Sequence, residues 1–326
     1  MADTGGGAGP RAADNTAELV AGARRGEARA VARLISLVED GSSRNDAALR
    51  EVSAALAPHT GQAHVVGITG SPGVGKSTST SALVTALRAK DRRVGVLAVD
   101  PTSPFSGGAL LGDRVRMQEH ATDGGVYIRS MATRGHLGGL AGAAPLALRV
   151  LDAAGCDVIL VETVGVGQSE VEIAGLADTT LVLVAPGMGD GIQALKAGIL
   201  EIGDVFVVNK ADRDGANTTR REIRGVVSAR ESDWEAPIVL TVATTGEGVD
   251  EVVSEIEKHR EYLEGGELER RRLARVGREI EALALGSLRS RMADVTGDAR
   301  LGSLAADVLA GRSDPFAAAD TLVEHL

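Results

Sequence analysis

The chain has 326 residues, of which 44% are hydrophobic and only 2% aromatic, and its net charge is -10. That length carries one sizeable core with extra helical segments, or two domains, and the core must be aliphatic. An acidic surface with few stacking rings excludes general nucleic-acid binding.

Met1 to Asn15 is rich in Gly and Ala, contains Asp3 and lacks the apolar segment of a secretory signal. It reads as a disordered tail. No run is apolar and long enough to span a bilayer, so no membrane partner and a cytoplasmic location are expected. Thr16 to Val38 is predicted as a helix, with Val31, Leu34, Ile35 and Val38 on one face. After Gly41-Ser42-Ser43 a second helix, Asp46 to Ala57, stops before Pro58. Residues 16–60 thus form a helical hairpin.

Short apolar runs then recur at His64–Thr69, Val94–Val99, Val126–Ser130, Val158–Val161, Thr180–Val184, Val205–Val208 and Ile238–Val242. Helical stretches such as Ser77–Ala89, Leu137–Ala153 and Gly191–Ile202 separate most of them. Alternating strands and helices over 61–262 predict an α/β fold, a mainly parallel sheet with helices on both faces. The lone Cys156 precedes one of these strands, which predicts a buried structural thiol. With no second cysteine there is no intrachain disulfide, and no Cys/His cluster has metal-ligand spacing. From Val249 the chain is helical again, broken at Gly265-Gly266. In 263–326, Leu273, Val276, Ile280 and Leu283 follow a heptad-like stripe that either docks on the core or forms a dimer seam. Arg270, Arg271 and Arg272 alternate with glutamates nearby and read as a solvated helix face.

Residues 70–77 read G-S-P-G-V-G-K-S between a predicted strand and a predicted helix. This is a complete Walker A pattern, so the fold is a P-loop NTPase with N- and C-terminal helical extensions. In such a loop Gly70, Ser71, Pro72, Gly73, Val74 and Gly75 present backbone N–H groups to phosphates, and the helix N-terminus adds its positive end. Lys76 is placed to reach the β- and γ-phosphates, Ser77 to ligate Mg²⁺, and Thr78 to continue the cradle.

The base is chosen elsewhere. Asn209-Lys210-Ala211-Asp212 follows a strand, as the guanine-reading motif of GTPases does. The Asp212 carboxylate can accept from guanine N1–H and N2–H₂, whereas adenine would leave a buried Asp212 unpaired. Lys210 can cover the base plane, and Asn209 can tie this loop to the phosphate loop. Val242-Ala243-Thr244-Thr245-Gly246-Glu247-Gly248 resembles the loop whose backbone N–H meets guanine O6, with valine where serine is usual.

Three positions are candidates near the metal and the γ-phosphate. Asp100 ends a strand and is a Walker-B-like Mg²⁺ ligand candidate. Asp113 lies beyond the polar loop Pro101–Gly108, where a switch would sit, and could bind Mg²⁺ or orient water. Glu162-Thr163-Val164-Gly165 stands where GTPases commonly carry D-x-x-G. Glu162 would act on Mg²⁺ or its waters, and the Gly165 N–H would sense the γ-phosphate. Gln168 is nearby, but no water-orienting glutamine is evident, so hydrolysis is expected to be slow without a partner.

The segments V-D-P-T-S-P-F-S-G-G-A-L-L-G-D-R at 99–114, V-E-T-V-G-V-G-Q-S-E at 161–170 and G-D-G-I-Q-A-L-K-A-G at 189–198 resemble the MeaB/ArgK GTPases. The likeness runs over roughly 16–320. It implies a homodimeric, GTP-gated chaperone of adenosylcobalamin-dependent methylmalonyl-CoA mutase that gates cofactor loading and protects or reactivates the mutase. It also implies a further switch carrying Asp190, Gln193 and Lys196. Two other readings compete. A kinase of an amino-acid transport system, a label attached to ArgK relatives, finds no H-R-D or D-F-G element here. A nickel metallochaperone would want Cys/His ligands, whereas Cys156 is alone and His64, His120 and His136 lie in unrelated contexts, as surface or packing residues.

Overall fold

The structure, a computed structural model, describes residues 11–40, 46–101, 117–120, 122–133, 143–163, 169–187, 198–230, 232–292 and 299–323. Three helices open the chain: α1 (Arg11–Arg24), α2 (Ala28–Asp40) and α3 (Asp46–Leu56). The single helix expected over Thr16–Val38 is therefore two, and the first begins at Arg11, inside the expected tail. The break is Gly26, whose φ of 79° is left-handed. Its carbonyl accepts the Tyr127 hydroxyl at 2.9 Å, which pins the turn to the sheet.

The α/β region then runs β1 (His64–Gly70), α4 (Lys76–Ala89), β2 (Val94–Pro101), β3 (Val126–Thr133), α5 (Ala144–Ala153), β4 (Val158–Thr163), α6 (Ser169–Leu176) and β5 (Thr179–Val184). It continues with α7 (Ile199–Ile202), β6 (Val205–Asn209), α8 (Ala216–Val227), β7 (Ile238–Thr241) and α9 (Val249–Glu264). All seven strands form one sheet in the order β3-β2-β4-β1-β5-β6-β7, and every pairing is parallel. Runs of Val, Ile and Leu without polar alternation make this possible, since β1, β5 and β6 are buried along their whole length.

Layers cover both faces. On one, Leu83, Val84 and Leu87 of α4 meet Val252, Val253 and Ile256 of α9 over β1 and β4. On the other, Leu148 and Leu151 of α5 share a cluster with Leu34 and Ile35 of α2 and Leu56 of α3. The N-terminal helices thus belong to the core of the sheet. Cys156 is buried in that cluster, and burial pushes its thiol up to about 12. Phe206, Ile223 and Ala236 fill the layer under α8.

The N-terminal edge of the sheet carries a buried polar cluster. Asp178 accepts from the Val65 amide at 3.0 Å and Asp204 from the Thr180 amide at 2.8 Å. His64 and His259 both contact the Thr179 hydroxyl, at 2.8 and 2.7 Å. Burial holds both imidazoles down at about 4, against the pull of Asp178 on His64 and of Asp204 on His259, so they pack as neutral rings. Trp234 leans on His259, ring centroids 4.8 Å apart, and on Tyr262 at 5.2 Å, while its indole N–H donates to the Asp204 carbonyl at 2.8 Å.

The next helix, α10 (Glu267–Met292), closes this cluster. Arg272 donates to both Asp178 oxygens, at 3.3 and 2.9 Å, and to the carbonyls of Gly61 and Ala63. Arg271 holds both Asp204 oxygens at 3.1 Å. The solvated face expected for this run therefore needs correcting. Only Arg270 faces water, paired with Glu267 on its own helix. The two buried carboxylates, separated from the arginines by about 70 to 90 positions, were not visible as their partners in local charge spacing.

One compact unit ends at Arg272 and a second runs from Leu273 to Leu326. The boundary falls inside α10, just after Arg271 and Arg272 of its second turn, which bind the helix to the sheet. In the second unit α11 (Ala299–Leu309) packs with α12 (Pro315–Val323). Leu273, Ile280 and Leu283 remain more than 60% exposed. Among the described residues no helix is long and apolar enough to cross a membrane.

Arg272→Ala should lower stability by about 3 kcal/mol, because it strands the fully buried Asp178 carboxylate. Urea unfolding followed by Trp234 emission measures it. A midpoint equal to that of the unaltered chain would show that Asp178 finds another partner.

Candidate functional site

The phosphate-type loop joins β1 to α4 at the C-terminal edge of the sheet. Val74 is fully buried and anchors the loop in the core below. Two glycines are required by close approach. Gly70 has φ 142°, and a Cβ there would lie 2.2 Å from the Leu183 carbonyl oxygen. Gly75 has φ 97°, and a Cβ there would lie 2.5 Å from Asn209 Nδ2. Gly75 caps α4, so the first amides of that helix open toward the loop. Ser71 is half-buried, Pro72 and Gly73 are exposed, and Thr78 is half-buried behind them.

Lys76 is buried, and its ammonium donates to the carbonyls of Gly70 at 2.6 Å and Ser71 at 3.2 Å. The charge is thus held inside the curve of the loop. Ser77 donates its hydroxyl proton to Glu162 Oε1 at 2.6 Å. Thr80, one turn deeper on α4, approaches Glu162 Oε2 at 3.0 Å. Glu162 is 1% exposed, so these hydroxyls hold a carboxylate shut away from bulk water. Thr80 was missed in the sequence. The signal was present, since Ser77 and Thr80 stand i, i+3 on one helix face, but only tertiary pairing places that face against β4.

Strand order places Glu162 nearest the loop. β4 lies next to β1, whereas β2 lies one strand further out. Ala98, not Asp100, is registered with Glu162. Asp100 belongs to β2, paired with Ala132, and its side chain lies outside the described residues. Asp113, Gly165, Gln168, Asp190, Gln193 and Lys196 also lie outside them. A magnesium ion suits the chemistry that is present: a serine hydroxyl and a carboxylate are hard oxygen donors beside a phosphate-type cradle. Among the described residues no three His, Cys, Asp or Glu are gathered to hold a metal. An ion here would therefore share its ligands with phosphate and water.

Asn209, at the end of β6, links three segments. Its Nδ2 donates to the Val74 carbonyl at 2.8 Å. Its Oδ1 accepts from the Ala243 amide at 3.1 Å and the Thr241 hydroxyl at 3.3 Å. Lys210 adopts a left-handed φ of 59° and donates to the Gly73 carbonyl at 2.7 Å. Asp212 is exposed. Its desolvation would come from a base lying against it. Val242 is buried and bridges to Glu247, which closes the third loop, while Thr244 is exposed.

Comparison with known proteins agrees with this arrangement. The family model described as "Methylmalonyl Co-A mutase-associated GTPase MeaB" matches residues 31–296. A protein of Pyrococcus horikoshii is 47% identical over 315 residues, covering 95% of this chain and 98% of its own. The GTPase ArgK of Escherichia coli is 36% identical over 242 residues, 72% of this chain and 73% of its own. The crystal structure of a LAO/AO transport system kinase superposes with a TM-score of 0.72 at 25% identity, covering 96% of this chain and 97% of that one. With its parallel P-loop sheet and a family match over most of its length, this chain belongs to the MeaB family of guanine-nucleotide-binding GTPases.

Proposed function

We propose that the chain binds GTP with Mg²⁺, hydrolyses it slowly, and uses its nucleotide state to gate cofactor loading and protection of an adenosylcobalamin-dependent methylmalonyl-CoA mutase or a related acyl-CoA mutase. The observation that carries the nucleotide reading is the Asn209 side chain. It joins the loop at Val74 to the Asn209–Asp212 and Val242–Thr244 loops through one buried amide.

In this reading Gly70 to Thr78 cradle the phosphates, and Lys76 neutralises charge on the β- and γ-groups. Asp212 reads the base edge, Lys210 covers its face, and the Val242–Thr244 backbone lies against it. Ser77 and Glu162 would hold the magnesium ion, with Asp100 as a further candidate ligand. When bound, that ion would neutralise charge on the phosphate oxygens. Both Glu162 oxygens are occupied by hydroxyl contacts in this structure. No water-orienting glutamine is evident in the sequence, which supports an enzyme that waits for a partner, with Asp113 and the Gly165 amide as the γ-phosphate-side candidates. The mutase assignment draws on the family's description, a cytoplasmic setting belongs to the same reading, and the 189–198 segment is the proposed second switch. A homodimer belongs to the same reading, supported by the exposed stripe of Leu273, Ile280 and Leu283.

Asp212→Asn should weaken GDP and GTP at least about 100-fold and improve xanthine nucleotides, since the N1 and N2 donors lose their shared acceptor. Competition against a fluorescent GDP analogue measures this, and unaltered GTP affinity would sink the guanine assignment. Calorimetry with the mutase should give different affinities for the GDP-loaded chain and for the chain loaded with a non-hydrolysed GTP analogue. No heat in either state would remove the client but leave the GTPase standing. Ile280→Asp combined with Leu283→Asp should yield a monomer in light scattering; a persisting dimer would place the seam elsewhere.

A further inference from the structure

We propose that a cavity at the N-terminal edge of the sheet is a second binding site, for a small molecule that carries a phosphate group. The cavity measures about 540 Å³ and is lined by Arg24, His59, Arg92 and Arg260 together with Asp152 and Asp157. That volume lies in the range of small-molecule sites. Its walls come from the end of α1, the turn after α3, the turn before β2, the α5–β4 connection and α9. The phosphate-type loop lies at the other end of β1, about 20 Å away by the rise of a strand.

The carboxylates build the walls. Asp152 accepts from the amides of Gly61, of Gln62 at 3.3 Å and of Ala63 at 3.0 Å, and Asp157 accepts from the Arg93 amide at 2.7 Å. Four backbone donors thus meet their negative charge and hold the segments that lead into β1 and β2. The arginines are not used in this way. Arg24 and Arg92 are exposed, and among the described residues neither guanidinium has a hydrogen bond or an ion pair. Arg260 gives its Nε to Glu264 at 3.0 Å, which leaves its two Nη groups. Compensation of a helix end accounts for Arg24, in the last turn of α1. That reason does not extend to Arg92, in the turn between α4 and β2. A chain of net charge -10 has no general attraction for anions, so guanidinium groups around one recess mark a local site. A phosphate group presents oxygens in several directions and can meet forks from α1, the turn and α9 at once, with the His59 ring N–H as a further donor. A single carboxylate has one edge to offer.

The test is calorimetric titration of the full chain with inorganic phosphate at constant ionic strength, with Mg²⁺ and a non-hydrolysed GTP analogue filling the nucleotide site. The unaltered chain should bind one phosphate. Arg24→Gln combined with Arg92→Gln should weaken that binding at least about tenfold, the factor that one lost charge-assisted hydrogen bond supplies. Both positions are exposed, so the double variant should fold and should bind the GTP analogue within about twofold of the unaltered chain. Malonate, a dicarboxylate of similar charge, should bind at least about tenfold more weakly than phosphate. No saturable phosphate binding by the unaltered chain would overturn the proposal. So would an equal phosphate affinity in the double variant, which would place the anion elsewhere. An equal affinity for malonate would reduce the cavity to unselective attraction of anions and would overturn it too.

Discussion

The candidate site depends on one buried amide. Asn209 is 2% exposed, and its side chain uses both its donor and its acceptor to draw three loops together. None of these loops has a regular ladder of its own at that point. Each leaves its strand at the C-terminal edge of the sheet, where backbone groups lose their neighbours and must be satisfied some other way. An amide is suited to this junction because it is uncharged and carries both polarities. A carboxylate would repel the Val74 carbonyl, and a hydroxyl would not span the gap. The approach is close enough to forbid a Cβ at Gly75, so the glycine of the loop and the asparagine of the strand end require each other.

The two edges of the sheet use polar groups differently. At the C-terminal edge the groups are hydroxyls, amides, the Glu162 carboxylate and two lysines, Lys76 and Lys210, gathered around the phosphate-type loop. At the N-terminal edge the buried charges are consumed internally: Asp178 and Asp204 face Arg271 and Arg272, and two neutral histidines share a threonine. β5 and β6 run from one edge to the other. The residue before each is an anchored aspartate, β5 ends against Gly70, and β6 ends in Asn209. The N-terminal edge fixes Arg271 and Arg272 of α10 against the sheet.

Much of this was legible in the sequence because it is local. Seven apolar runs gave seven strands to within three residues at either end, and the glycine spacing of 70–77 together with N-K-A-D marked both halves of the site. Glycine punctuation misled once, since a single Gly26 inside a periodic stretch reads as tolerated until Tyr127 is seen holding its carbonyl. The larger errors came from partners remote in sequence. Arg271 and Arg272 meet carboxylates that no spacing rule connects to them. Thr80 was overlooked because a hydroxyl inside a helix has meaning only once the facing strand is known.

Trp234 has a consequence of its own. It is the sole tryptophan in the chain, and the indole is wedged between His259 and Tyr262 with its N–H on the Asp204 carbonyl. Its emission is therefore a built-in optical gauge of the arginine-held edge. Protonating His259 beside it should quench it, while events among the loops at the opposite edge lie beyond its contact range. The protein thus separates two signals by architecture: intrinsic fluorescence follows the foundation of the sheet, and an added label on the nucleotide is needed to follow its working end.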